Sequence, residues 1–159
     1  MARLDSFAKH NRTPRRIGAP FFNLDSNVGP TLFAAYRRTD VQLVQVLLMI
    51  IDDDPSPAFN PFRPVPGVPL PEKPGDKLTA DGTFGPITRA WVKWFQAMDR
   101  LEADAKVALA PAGRSTTLAG QPLAIIRLNE VISGNSRHTN LRFDPATPPE
   151  LKKELSRGL

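Results

Sequence analysis

Two histidines, His10 and His138, are the chain's only imidazoles, and neither has a second ligand at the spacing of an HExxH or HxxxD motif. A catalytic zinc needs about three such ligands, so no metal is expected. The chain has no cysteine, which removes thiol nucleophiles, disulfides and thiolate ligation. Glu72, Glu102, Glu130, Glu150 and Glu154 could in principle supply the carboxylate pair of a glycosidase. Each sits in an ordinary solvent-facing context, though. Ser115-Thr116-Thr117 has no neighbouring base to activate a hydroxyl. These absences argue against an enzyme and against a cofactor.

What remains is binding chemistry. Arg89 and Lys93 are spaced to share one helix face, where they can pair with carboxylates. Tyr36, Trp91 and Trp94 offer rings that can stack on sugar faces, although the two tryptophans also fall in an arc suited to burial. A second cationic group lies in the first 39 residues. Over residues 1–16 Arg3, Lys9, Arg12, Arg15 and Arg16 face Asp5 alone, in a chain of net charge +5. Arg12, Arg15 and Arg16 suit a phosphate backbone, but stacking aromatics are missing before Phe21 apart from Phe7. A solvated tail is therefore the preferred reading over a nucleic-acid arm.

The elements that must position these groups are helical. Val41, Val44, Gln45, Leu47, Leu48 and Ile51 recur at helical spacing, which predicts a helix over 40–51 with Asp40 as its cap. Asp52, Asp53, Asp54 and Pro55 end it. Residues 55–74 hold eight of the seventeen prolines, interleaved with Phe59, Phe62, Val65, Val68 and Leu70. Such an apolar ribbon is expected to pack rather than to dangle. Asp81-Gly82 makes a turn, Gly85 accommodates the tight backbone, and Pro86 opens a helix over 86–104. Its apolar arc is wide enough to need neighbours on two sides, leaving Arg89, Lys93, Gln96, Arg100 and Asp104 for water. Pro122 opens a further helix that ends at Gly134-Asn135, and Glu150–Arg157 forms a short amphipathic piece. No strand pattern and no long internal repeat is apparent.

The run DGTFGPITRAWVKWFQ resembles the signature of the peptidoglycan-binding-domain family through Asp81, Gly82, Phe84, Gly85, Thr88, Val92, Phe95 and Gln96. Upstream, Val41, Val44, Gln45 and Leu48 are similar to that family's first helix, and residues 118–133 would be its third. The resemblance implies an all-α, three-helix bundle over 40–133 with a long Pro-rich insertion at 52–78. A basic extension (1–39) and a tail (134–159) flank it. It also implies a non-catalytic module that docks at bacterial peptidoglycan through Arg89, Lys93, Tyr36, Trp91 and Trp94. The alternative is a structural subunit of a virion, tail or other assembly, a homo-oligomer among the options, that reuses the fold for protein contacts.

The N-terminal sequence lacks the apolar core of a secretory signal, so synthesis in the cytoplasm and carriage by a phage particle or secretion apparatus are expected. The longest apolar run, Val46–Ile51, is far below the roughly 20 residues of a membrane span, so no membrane insertion is expected.

Overall fold

A computed structural model of the chain describes residues 2–5, 19–30, 37–54, 66–110, 117–118 and 121–157. The fold is mostly helical. In chain order it runs β1 (Arg3–Asp5), β2 (Phe21–Asn23), α1 (Arg38–Asp53), α2 (Pro86–Met98), β3 (Thr117–Leu118) and β4 (Gln121–Pro122). It continues with α3 (Ala124–Val131), α4 (Ser136–Thr139), a 3-10 turn (Leu141–Phe143) and α5 (Pro149–Arg157).

α1 is the axis of the molecule. The sequence shows an apolar stripe, yet nearly every residue from Asp40 to Ile51 is buried, because α2, α3, α4 and α5 all pack against it. Its buried polar side chains Asp40, Gln42 and Gln45 each find partners, although Gln42 Oε1 meets none among the described residues. Asp40 is not the cap: the helix starts two residues earlier, and the Asp40 carboxylate accepts the backbone N–H groups of Asp25 and Ser26 and the Ser26 hydroxyl. Burial raises the Asp40 pKa, and the Ser26 hydroxyl partly offsets this. Gln42 donates to Glu150 on α5 at 2.7 Å. Gln45 serves the turn at Asp81.

That turn explains most of the DGTFG motif. Gln45 Nε2 donates to Asp81 Oδ1 (2.9 Å), Thr88 Oγ1 (2.9 Å) and the Thr83 carbonyl (3.2 Å), and Gln45 Oε1 accepts the Gly82 N–H at 2.9 Å. Gly82 has φ +77°, and a Cβ there would lie 2.3 Å from Arg38 Cγ, so glycine is required. Gly85 is different. Its φ is −98° and nothing lies within 4 Å of a Cβ, so the expected tight backbone belongs to Gly82 alone. Phe84, the aromatic residue of the motif, is half-buried against the core edge.

α2 ends at Met98, six residues before the expected end. Arg100 turns to φ +57°, and the Leu101 N–H reaches back to the Gln96 carbonyl at 2.7 Å. Gln96 is buried rather than solvent-facing because it holds the next turn as Gln45 holds the first. Its Nε2 donates to Asp104 Oδ1 (3.0 Å) and the Lys106 carbonyl (2.9 Å), and its Oε1 accepts the Ala105 N–H at 2.9 Å. Ala105 has φ +62° where the first turn has glycine. This repeated device went unseen because Ala105 breaks the Asp-Gly spelling.

α3 begins at Ala124, and Pro122 lies in β4 instead of opening the helix. Both strand pairs, β1–β2 and β3–β4, are antiparallel and contradict the strand-free expectation; two or three residues are too few for an alternating pattern to register. β2 is fixed to α3 by Asn129, whose carboxamide accepts the Phe22 N–H (2.8 Å) and donates to the Phe22 carbonyl (2.9 Å). α4, capped by the Asn135 side chain, and the 3-10 turn are additions the sequence did not suggest. α5 forms where Glu150–Arg157 is predicted, one residue longer. Its Leu151 and Leu155 join Ala2, Phe21 and Phe22 in one hydrophobic cluster with α1, so both flanking regions contribute to the core.

Candidate functional site

Gly85 and Pro86 start α2 cleanly, and Arg89 N–H donates to the Gly85 carbonyl at 2.9 Å. Thr88, Trp91, Val92, Phe95 and Gln96 then point inward. The opposite side carries Ile87 (42% exposed), Arg89, Ala90 and Lys93, all at the surface, with half-buried Trp94 beside them. Ala90 is exposed. Helical spacing gives this face an order: Arg89 and Lys93 on one flank, small Ala90 in the middle, Trp94 and Ile87 on the other. α2 contains no acid, and neither Arg89 nor Lys93 makes an ion pair or hydrogen bond through its side chain to any described residue. Among the described residues the face therefore presents two cations without a counter-ion, beside an apolar strip.

The remaining sequence-predicted ligand residues separate. Trp91 is only 3% exposed, so its ring face is not available for stacking. Its Nε1 donates to the Asp76 carbonyl at 2.8 Å, and the Trp94 ring meets it edge-on with centroids 5.5 Å apart. Lys73 lies over the Trp91 ring at 5.5 Å and pairs with Asp52. The C-terminal part of the insertion thus supplies the second-side cover that the wide apolar arc of α2 demanded. Val68 and Leu70, expected to pack, are 60% and 54% exposed, so the packing begins only beyond them. Tyr36, Arg12, Arg15, Arg16, Phe59, Phe62 and Val65 lie outside the described residues.

Beside Trp91, the last turn of α1 and residues 73–78 enclose a groove of about 270 Å³. Its rim carries Asp52, Asp53, Lys73, Asp76 and Lys77, none of which stood out in the sequence as binding residues. The one usable signal was Trp91, a bulky residue that needs a cover, followed upstream by a polar Lys73–Lys77 segment.

His138 is fully buried, with Nε2 3.1 Å from Asn129 Oδ1 and Phe22 edge-on at 5.2 Å. Burial drives its pKa down to about 3, so the ring is neutral and structural. Among the described residues no three His, Asp or Glu side chains converge as a metal-binding set, and no helix is long and apolar enough to cross a membrane. No protein-family model, curated protein or solved structure matches the chain.

Proposed function

We propose that the chain is a non-catalytic module that docks on bacterial peptidoglycan through the outward face of α2. In this reading α1, α2 and α3 correspond to the three helices of the peptidoglycan-binding-domain family. Gln45, Gly82 and Thr88 are then scaffold residues rather than ligand contacts. The observation that carries the reading is the exposed pair Arg89 and Lys93, without a counter-ion among the described residues, beside the partly exposed Trp94. Stem peptides present carboxylates that such cations can pair with, and the C–H face of a sugar can lie on an indole. Delivery to the wall would come from a phage particle or a secretion apparatus.

The test is co-sedimentation of the purified chain with sacculi at low salt. The wild type should pellet, and Arg89→Ala/Lys93→Ala should stay in the supernatant. A wild-type chain that remains in the supernatant removes the proposal. A second reading, a structural subunit of a particle, draws on Val68, Leu70 and Phe143. These three are more than half exposed and lie outside the helices that carry the resemblance. A stable higher-order mass in solution together with failure to pellet would favour it.

A further inference from the structure

The groove beside Trp91 has a charge balance that points to a ligand. Five charged side chains line it, and three are already neutralised within the chain: Lys73 pairs with Asp52, and Asp53 pairs with Arg137 at 2.8 Å. Asp76 and Lys77 remain, each exposed and without a hydrogen bond or ion pair from its side chain to any described residue. Met49, Pro74 and Leu78 contribute aliphatic lining to the same groove. The volume, about 270 Å³, falls just under the roughly 300–1,000 Å³ of pockets for drug-sized ligands, so the occupant is small.

We propose that this groove binds the zwitterionic head of an α-amino acid, with Asp76 taking the ammonium, Lys77 the carboxylate and the aliphatic lining the carbon chain. A simple anion would meet Asp76, and a simple amine would meet Lys77. Only a ligand carrying both charges satisfies both groups while its aliphatic part meets the aliphatic lining. The site goes beyond the α2 face and does not depend on it. A free amino acid and the exposed head of a diamino acid in an uncross-linked wall peptide share this chemistry.

The experiment uses the full chain, titrated with norleucine, hexanoate and pentylammonium and followed by amide and indole NMR shifts of Gly75, Lys77 and Trp91. Norleucine should bind, and the two singly charged probes should bind at least about tenfold more weakly, the equivalent of one lost charged hydrogen bond. Asp76→Ala should erase the preference for norleucine over hexanoate, and Lys77→Ala the preference over pentylammonium. Both side chains are exposed, so both variants should fold. A stem peptide ending in meso-diaminopimelate tests the source: tighter binding than norleucine assigns the site to the wall, and equal binding assigns it to free amino acids. Equal binding of all three small probes, tighter binding of pentylammonium, no shift with norleucine, or preferences unchanged in both variants would each overturn the proposal. Arg89→Ala/Lys93→Ala should leave norleucine binding unaltered, which keeps a failure here distinct from a failure of the α2 face.

Discussion

Gly82→Ala puts the central scaffold to a quantitative test. The residue sits at φ +77°, a region that costs an L-residue about 1–2 kcal/mol. A methyl there would stand 2.3 Å from Arg38 Cγ, 3.0 Å from the Arg38 carbonyl oxygen and 3.2 Å from Gln42 Cγ. The Arg38 side chain is exposed and can swing away, but its carbonyl belongs to the first turn of α1 and the helix is buried from Asp40 onward, so full relief requires moving the start of α1, an overpacking cost of about 1–3 kcal/mol. The stiffer unfolded chain returns about 0.4–1 kcal/mol. The net expectation is a loss of about 1–4.5 kcal/mol, centred near 3, or roughly 6–12 °C in Tm at the centre. Urea unfolding followed by circular dichroism is the assay, with an unchanged m-value showing that the difference lies in stability. Gly85→Ser is the control. It introduces a side chain of similar size three residues away, into open space, at φ −98° and at the helix cap, and should be neutral or stabilising by up to about 1 kcal/mol. Equal effects at both glycines, or no effect at Gly82, would refute the assignment of the tight corner.

Four further outcomes follow from the buried titratable groups and the turn edge. His138 has a folded pKa of about 3 against an ordinary 6.5, so below pH 6.5 the unfolded chain takes up a proton that the folded chain refuses. Stability from this group is complete above pH 6.5 and should fall by about 2 kcal/mol on reaching pH 5, at about 1.4 kcal/mol per pH unit. His138→Gln should flatten urea-derived stability between those pH values by that amount. Asp144 acts lower on the scale: burial opposes its ionisation, but Arg137 and the Ala146 N–H outweigh burial and hold its pKa below the usual value, so its contribution should disappear only as pH falls below about 4. Arg127 forks onto Asp99 at 2.7 and 2.8 Å and also reaches Glu130 at 2.6 Å, tying the end of α2 to α3. Arg127→Ala would strand the buried Asp99 carboxylate and should cost about 3–5 kcal/mol, whereas Arg127→Met with Asp99→Asn should cost clearly less in the same unfolding assay. Phe84→Ala should cost about 1–2 kcal/mol, less than a core phenylalanine, because its ring is half exposed.

The elements legible in the sequence are those whose local rules agree. α1 combines helical periodicity with an acidic, proline-terminated end, and α2 begins at a glycine followed by proline. The Asp81-Gly82 corner was legible too, but its partner Gln45 is 36 residues from Asp81, and no local rule announces a hydrogen bond over that distance. The same reason hid the role of Gln96, which a helical wheel places towards water although a following turn folds back over it. The extent of burial around α1 was equally invisible, since it depends on four other helices arriving from distant parts of the chain. For the candidate site, Arg89 and Lys93 were readable from i,i+4 spacing and are indeed exposed together. Trp91 and Trp94 were not separable by sequence: the chain at Lys73–Asp76 covers the first and leaves part of the second open. The Asp76 and Lys77 pair emerged only once ion pairing elsewhere in the groove was known.

The most direct test of the functional reading is an NMR titration of the intact chain with a soluble disaccharide-tetrapeptide from peptidoglycan. Shifts centred on Ile87, Arg89, Ala90, Lys93 and the Trp94 indole are predicted, and they should be lost in Arg89→Ala/Lys93→Ala. An α2 whose signals stay fixed up to millimolar ligand would contradict the account.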